Sequence, residues 1–210
     1  MNILHLDSSA FGTSSVSRSL TAEVVSKLRL ADPLSRVRYR DLARMQLPAV
    51  TEGLLYGMRR IPGAPDMEVP RSLRRDVDIA KELLDELLEA DMLVIGAPMY
   101  NFSIPQPLKA WIDRVVMPGR TFQYTAEGPQ GLAGGRRAIV VSTRGGRLSG
   151  AAHEVALDHQ ESYLLAIFGF IGISDVKFVR AEGLALSDLR DGSIASAKVQ
   201  AAQVAAELTS

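Results

Sequence analysis

The chain has 210 residues, enough for a sizeable hydrophobic core, and we predict a single domain over residues 1–210. Lysine and arginine together number 24, as do aspartate and glutamate, so no nucleic acid or anionic membrane partner is indicated. Cysteine is absent, which excludes disulfides, thiolate nucleophiles and zinc–thiolate sites.

The N-terminus predicts neither export nor membrane insertion. It reads MNILHLDSS, which lacks the basic region and the longer apolar run of a secretory signal peptide. No apolar stretch of the sequence reaches the ~20 residues that a membrane-spanning helix needs. We therefore expect a cytoplasmic protein.

Strand and helix patterns alternate along the chain. Short apolar runs predict strands at 3–6, 37–42, 92–96, 138–142 and 176–179. Apolar residues at helical spacing predict helices within 16–28, 73–87, 108–115, 151–171 and 194–208. This alternation predicts an α/β fold with a parallel sheet and helices on both faces.

Two segments interrupt the alternation. Residues 45–70 contain several prolines and glycines and predict a long irregular excursion, in which Arg59 and Arg60 could shape ligand access or simply be solvated. Residues 117–135 predict a small hairpin before the fourth strand. Phe122 and Tyr124 in this hairpin could cover a ligand pocket or close the edge of the sheet.

Ligands of open parallel sheets bind at the carboxyl ends of the strands, so the loops after the first, third and fourth strands are the candidate site. The first is the hydroxyl loop, residues 7–20, which reads DSSAFGTSSVSRSL. Its hydroxyls precede a helix N-terminus, which itself favours anions, and together they suit a terminal phosphate monoester. The alternative is a serine-rich turn that only caps the helix. Neither G-x-G-x-x-G nor a P-loop pattern is present, which disfavours a dinucleotide site and an NTPase.

The second loop contains the aromatic corner, residues 99–102, with the sequence MYNF. Aromatic and methionine side chains can form apolar walls for a flat heteroaromatic ligand, while amide groups read its ring heteroatoms. The alternative is that Tyr100 and Phe102 belong to the ordinary core. Pro105 and Pro107 then open the following helix, where proline is tolerated.

The third loop, residues 142–150, has the sequence STRGGRLSG, and its first five residues, STRGG (142–146), are named the glycine loop. Gly145 and Gly146 allow the backbone to approach a ligand closely, and Arg144 is expected to supply a fixed positive charge. On its own this pattern is weak, because it also suits any turn.

Three stretches together resemble a known family: PMYNFSIPQPLKAWIDRV (98–115), STRGG (142–146) and FGFIGISDVKFVRAEG (168–183). They are similar to the FMN-dependent NADH azoreductases and NAD(P)H quinone reductases of the flavodoxin-like superfamily, and the resemblance spans nearly the whole chain. It implies a flavodoxin-like α/β fold with a five-stranded parallel sheet in the order 2-1-3-4-5. It also implies a homodimer with the flavin site near the subunit interface.

The resemblance implies the positions of the FMN contacts. The phosphate is expected to contact Ser9, Ser15, Val16 and Ser17. The flavin ring is expected between the aromatic corner and the glycine loop, bordered by Met99, Tyr100, Asn101, Phe102, Thr143, Arg144, Gly145 and Gly146. Thr143 stands where the family often has serine, which retains the hydroxyl.

The implied activity is the reduction of quinones and azo compounds by NADH or NADPH, in a ping-pong hydride transfer through FMN. Because FMN carries the redox chemistry, we predict no catalytic side chain and no metal site. N–H groups of the glycine loop are the expected donors to the negative charge that develops on the reduced ring. Such proteins have also been described as acyl carrier protein phosphodiesterases, a chemistry for which we find no metal site or nucleophile.

Two other functions stay open on the residues alone. One is a non-enzymatic electron carrier of the flavodoxin type, which the balanced charge disfavours because such carriers usually present an acidic face. The other is a flavin-free protein that binds or hydrolyses a phosphate ligand.

The remaining polar residues of note predict structural roles. His5 lies within the first strand and is expected to be buried. His153 and His159 are placed in the fourth helix without sharing a face, a spacing that does not indicate zinc. Lys109, Asp113 and Arg114 are expected to form the polar face of the third helix, with Asp113 alternatively capping a neighbour.

Overall fold

The structure is a computed structural model that describes residues 1–58, 68–148, 150 and 155–209. A central parallel sheet contains the strands β1 (Asn2–Asp7), β2 (Arg36–Asp41), β3 (Met92–Pro98), β6 (Arg137–Thr143) and β7 (Asp175–Ala181). A separate antiparallel hairpin consists of β4 (Phe122–Thr125) and β5 (Gly128–Gly131). The helices are α1 (Val16–Ala31), α2 (Leu42–Met45), α3 (Glu52–Gly57), α4 (Arg71–Glu89), α5 (Gln106–Val115), α6 (Glu161–Phe170) and α7 (Ser187–Thr209).

The strand order of the large sheet is β2-β1-β3-β6-β7. Without the hairpin strands this is the predicted order 2-1-3-4-5, so the flavodoxin-like sheet is confirmed. The hairpin predicted within 117–135 is confirmed as well. The order reverses between β1 and β3, and at such a reversal the connecting loops diverge to opposite faces and leave a crevice.

Two hydrophobic clusters cover the two faces of the sheet because successive side chains of a strand point to opposite faces. Leu4 and Leu6 of β1 pack into the cluster that includes Trp111 of α5, on the face covered by α4, α5 and α6. Ile3 packs into the other cluster, between α1 and α7. The sheet therefore has one hydrophobic cluster on each face.

The segment predicted as a long irregular excursion is partly helical, so that prediction is wrong for Met45 and residues 52–57, whereas residues 46–51 and 68–70 are irregular. It contains α3, whose first turn is capped by the Thr51 hydroxyl accepting from the Leu54 N–H at 3.3 Å. Arg59 and Arg60 lie outside the described residues.

Within the described part of the fourth predicted helix, residues 156–160 are not helical and α6 begins only at Glu161. The Asp158 carboxylate accepts from the N–H groups of Gln160 at 3.1 Å and Glu161 at 2.9 Å, and this capping starts α6 at Glu161. His159 therefore lies in the turn before the helix rather than within it. His153 lies outside the described residues.

The polar face predicted for α5 is only partly correct. Lys109 and Asp113 form an exposed ion pair with 2.6 Å between Nζ and Oδ1. Arg114 is fully buried and donates to the carbonyl oxygens of Ala110 at 2.9 Å and Pro48 at 2.6 Å. Its burial lowers the pKa of the guanidinium. Arg114 therefore fastens the segment after β2 onto α5, a role that helical periodicity cannot indicate.

Among the described residues, none of the helices has the combined length and apolar character required to cross a bilayer.

Candidate functional site

The crevice at the carboxyl ends of β1, β3 and β6 contains two adjoining cavities of about 310 and 280 Å³, which share Met99, Arg144 and Gly145. The first cavity is lined by most of the predicted site residues: Ser9, Ser15, Val16, Met99, Tyr100, Thr143, Arg144 and Gly145. The second adds Asn101, Phe102 and Gly146. The fold therefore brings the hydroxyl loop, the aromatic corner and the glycine loop together.

A larger cavity of about 390 Å³ lies at the opposite, amino-terminal ends of β1 and β2. Charged side chains that line it pair with one another, since Arg38 lies 3.5 Å from Glu86 and 3.7 Å from Glu89. Parallel sheets bind ligands at the carboxyl ends of their strands, so the crevice is the candidate site despite its smaller volume.

The hydroxyl loop presents donors at the start of α1. Ser15 caps the helix, with its Oγ 3.5 Å from the Arg18 nitrogen, and lies 2.9 Å from the Ser17 Oγ. Within the described part of the chain, the backbone N–H groups of Val16 and Ser17 have no acceptor. One of the two serine hydroxyls donates to the other, so a second hydroxyl hydrogen remains for a ligand. Ser17 does not line the cavity, but its hydroxyl is hydrogen-bonded to that of Ser15, which does.

The base of the hydroxyl loop is fixed to the sheet. The Ser8 hydroxyl donates to the Gly96 carbonyl of β3 at 2.6 Å, and the Asp7 carboxylate is buried between β1 and α1. Asp7 accepts from the hydroxyls of Thr21 at 2.9 Å and Tyr39 at 3.1 Å. A Cβ at Gly96 would lie 2.7 Å from the Asp7 Oδ1, so glycine is required there to leave room for the carboxylate.

An arginine that the sequence reasoning missed connects this loop to β2. Arg18 of α1 forms a bidentate pair with Asp41, at 2.8 and 2.6 Å, and donates to the Ser9 carbonyl at 2.9 Å. The hydrogen bond from Arg18 to Asp41 raises the pKa of the arginine. Burial opposes ionisation of Asp41, but the hydrogen bond and charge of Arg18 hold the pKa of this carboxyl below its usual value. The pair is therefore fully ionised near neutral pH.

His5 is buried, as predicted, and its ring lies edge-on to the Tyr39 ring at 4.9 Å between centroids. Its Nε2 lies 3.6 Å from the Asp7 Oδ1 and makes no hydrogen bond among the described residues. His5 contacts no cavity of the crevice, which is consistent with a structural role.

Tyr39 is expected to ionise at an unusually high pH. Its side chain is about half exposed, and partial burial of the hydroxyl together with the negative charge of Asp7 raises its pKa to about 12. This folded-state value exceeds the ~10 of an unfolded tyrosine, so the neutral phenol adds stability below pH ~10 that is lost as the pH rises toward about 12. Tyr39→Phe should remove one tyrosine that ionises at high pH from an ultraviolet difference titration. An unchanged high-pH limb in Tyr39→Phe would contradict the assignment.

The aromatic corner is a tight turn between β3 and α5. Tyr100 and Ser103 exchange backbone hydrogen bonds at 2.9 and 3.1 Å, and Asn101 and Phe102 have φ angles of 49° and 68°. Such left-handed conformations are costly for residues other than glycine, and they concentrate where ligands bind. Phe102 remains 47% exposed, so the alternative that it belongs to the core is wrong. The Tyr100 hydroxyl accepts from the Ala10 N–H at 3.2 Å, which joins the corner to the hydroxyl loop.

The glycine loop presents backbone rather than charge. Arg144 was expected to supply a positive charge to a ligand, but its buried guanidinium lies 2.6 Å from Asp158, 2.8 Å from Glu161 and 2.9 Å from Glu182. Three carboxylates neutralise it, so this expectation is corrected. The N–H groups of Gly145 and Gly146 make no hydrogen bond within the described residues and remain available.

Gln160 is a second residue that the sequence reasoning missed. It is fully buried, accepts from the Ser142 hydroxyl at 2.8 Å and from the Arg144 Nε at 3.1 Å, and donates to the Ala97 carbonyl at 2.7 Å. The neighbouring His159 N–H donates to the Phe102 carbonyl at 3.1 Å. This turn therefore holds the aromatic corner and the glycine loop at a fixed separation.

The two aromatic residues of the hairpin lie in different environments. Phe122 is buried against Phe170, with 4.6 Å between ring centroids, and so packs into the core. Tyr124 is 71% exposed. Neither residue lines the crevice of its own chain, so the prediction that they cover it is not supported within one chain.

Comparison with known proteins identifies the family. A family model described as Flavodoxin-like fold matches residues 1–205. An FMN-dependent NADH:quinone oxidoreductase of Bradyrhizobium sp. is 48% identical over 207 residues, which are 98% of this chain and 100% of the relative. A protein of the same name from Sinorhizobium fredii is 49% identical over 199 residues, 94% of each chain. The chain belongs to the FMN-dependent NADH:quinone oxidoreductase and azoreductase family.

Solved structures of this family share the fold. An FMN-dependent NADH-azoreductase from Bacillus anthracis in complex with FMN has a TM-score of 0.90 at 25% identity, covering 100% of this chain and 99% of that one. An azoreductase from the Sterne strain of the same species has a TM-score of 0.88 at 28% identity, covering 98% of both chains. All three loops of the crevice lie within the part that this chain shares with the azoreductases.

Proposed function

We propose that this protein binds FMN in the crevice and uses NADH to reduce quinones and azo compounds. One observation carries the proposal: a hydroxyl-rich helix N-terminus and an exposed aromatic corner face the same crevice at the point where strand order reverses. The names of the relatives support both the cofactor and the substrates.

The residues fit the phosphate end of FMN. The N–H groups of Val16 and Ser17, which have no acceptor among the residues that the structure describes, lie at the positive end of the α1 dipole, where an anion is stabilised. The hydrogen-bonded pair of Ser15 and Ser17 hydroxyls adds one donor, and the Ser9 side chain lies at the same cavity. A phosphate monoester can accept several hydrogen bonds at once, which matches this donor set.

The residues also fit a flat heteroaromatic ring. Met99, Tyr100 and Phe102 offer apolar surface, and the N–H groups of Gly145 and Gly146 offer fixed dipoles to ring oxygens and nitrogens. Bound FMN would supply hydride acceptance from NADH and electron donation to the quinone or azo substrate. Donors that are already oriented stabilise developing negative charge without reorganisation, which is the contribution we assign to the glycine loop.

The donor is NADH in the names of the relatives, and we extend that preference to this chain. We further propose that the protein is a homodimer located in the cytoplasm. Large apolar side chains are exposed at Phe102, which lines the crevice, and at Val155, Leu157 and Leu165, which lie before and within α6. Exposed apolar surface often marks an interaction site, and we infer that a second copy of the chain covers these side chains. Sedimentation velocity should give the mass of a dimer; a monomer at micromolar concentration would contradict this assignment.

The decisive experiment is anaerobic addition of NADH to the FMN-loaded protein. We expect bleaching of the flavin absorbance, followed by recovery when a quinone is added, with parallel-line ping-pong kinetics in steady state. A simple electron carrier would not turn over NADH and quinone without an added reductase. A flavin-free phosphate-binding or hydrolytic protein would be colourless and would not take up FMN.

Phe102→Ala should change the fluorescence of bound FMN without a large loss of stability. The side chain is nearly half exposed, and substitutions at such sites usually change the free energy of unfolding by less than about 0.5 kcal/mol. Phe122→Leu is the control, because it alters the core and should lower stability while leaving the flavin spectrum unchanged. Unchanged flavin fluorescence in Phe102→Ala would exclude the ring from the flavin site.

A further inference from the structure

We propose that Arg18 is a positioning residue that makes the crevice selective for the phosphate of FMN, by holding the Ser9 carbonyl and Asp41 together beneath the hydroxyl loop. The inference rests on the proposed function, because it concerns the same phosphate site. It adds a residue that contacts no ligand and acts through the backbone of the loop.

The contacts of Arg18 join three elements. One terminal nitrogen donates to the Ser9 carbonyl at 2.9 Å and to the Asp41 Oδ1 at 2.6 Å, and the other donates to the Asp41 Oδ2 at 2.8 Å and to the Tyr39 hydroxyl at 2.9 Å. Tyr39 in turn donates to the buried Asp7. The guanidinium therefore ties the loop after β1 to the end of β2, and the planar fork allows it to satisfy both partners together.

The charge of Arg18 is used internally. Asp41 neutralises it in a bidentate pair, and Asp7 lies 3.9 Å from its second terminal nitrogen. The Arg18 Nε is buried and makes no hydrogen bond among the described residues, and Arg18 does not line the crevice. These observations argue against a direct contact with phosphate and for an indirect role.

The Ser9 carbonyl is the part of the loop on which this role depends. A carbonyl oxygen that turns toward the crevice would repel a phosphate oxygen, whereas one engaged by Arg18 is held toward β2. The same restraint fixes the Ser9 hydroxyl, which accepts from the Phe11 N–H at 3.3 Å and lies at the cavity. Arg18 comes directly after Val16 and Ser17 in α1, whose N–H groups are the proposed donors to the phosphate. Its hydrogen bond to the Ser9 carbonyl therefore fixes the position of the loop relative to these N–H groups. Loss of Arg18 should therefore weaken recognition of the phosphate and leave the contacts to the ring unchanged.

The test compares the affinities of the apoprotein for FMN and for riboflavin, which lacks the phosphate, by fluorescence titration. Arg18→Met should lower FMN affinity at least about tenfold and change riboflavin affinity less than about twofold. Arg18→Lys should behave like Arg18→Met, since an ammonium cannot reproduce the fork. Arg29→Met, at an exposed arginine of the same helix, is the matched control and should change neither affinity.

Asp41→Asn separates the positioning role from a direct charge contact, and it keeps the test informative if an Arg18 variant does not fold. Under our proposal it also lowers FMN affinity selectively, and combining it with Arg18→Met adds little because both break one linkage. If Arg18 bound the phosphate directly, Asp41→Asn would release its charge and FMN affinity would stay the same or rise, which would overturn the proposal. A parallel loss of FMN and riboflavin affinity in Arg18→Met, together with a lower melting temperature, would also overturn it. If the wild-type protein does not prefer FMN to riboflavin, the phosphate site of the proposed function fails instead.

Discussion

Arg144→Met should lower the free energy of unfolding by about 3–5 kcal/mol, the range typical of a buried ion pair that loses one partner. The buried guanidinium of Arg144 contacts Asp158, Glu161 and Glu182, and its removal leaves these carboxylates with less compensation. Arg180 pairs with Glu161 but is nearly half exposed, so it cannot replace Arg144. Chemical denaturation monitored by circular dichroism measures the loss.

The control for this prediction is an arginine in an exposed pair. Arg120 lies 2.8 Å from Asp85, and both side chains are about half exposed. Arg120→Met should therefore cost less than about 1 kcal/mol. If Arg144→Met were no more destabilising than Arg120→Met, the carboxylates around Arg144 would not be held in the geometry described above.

Replacing both Ser15 and Ser17 by alanine should weaken FMN binding by at least about tenfold, since a hydrogen bond to a charged group is worth about 1.5–3 kcal/mol. The two hydroxyls lie 2.9 Å apart at the start of α1, where one of them has a hydrogen left to donate. Ser15 also caps the helix, so Ser15→Ala should in addition lower stability by about 1 kcal/mol. Ser17→Ala is the cleaner probe of the ligand contact.

Binding is measured by titrating the apoprotein with FMN and following the quenching of flavin fluorescence. Ser19→Ala, at an exposed serine of the same helix, is the matched control and should leave the affinity unchanged. Equal FMN affinity in the double variant and the wild-type protein would contradict the assignment of the phosphate site to the hydroxyl loop.

The three loops of the site were predictable from the sequence because each follows directly from a strand. The apolar run before Asp7 and the one before Met99 predict strands, and the helical spacing from Val16 onward predicts where α1 begins. In a parallel sheet the carboxyl ends of all strands lie at the same edge. Side chains that are distant in sequence but follow these ends can therefore be predicted to lie close together, even before any contact is known. Ser15 as the helix cap and Asn101–Phe102 as a turn are local features of this kind.

Whether the Arg144 charge is paired or available to a ligand was decided by tertiary structure. In the sequence it is an arginine beside two glycines, a pattern that suits a ligand contact. Its partners Asp158 and Glu182 are 14 and 38 residues away, and only the packed fold places them around it. Arg114 is similar, because its burial depends on Pro48, 66 residues earlier in the chain.

Local sequence periodicity therefore determined the strands, most of the helices and the edge at which the site lies, because hydrophobic spacing and helix caps act between residues a few positions apart. Tertiary structure alone decided which charges are free and which are paired, and it revealed Arg18, Asp41 and Gln160 as the residues that fix the loops. The reason is physical: the state of a charged or amide side chain depends on which partners surround it after burial, and those partners come from distant parts of the chain.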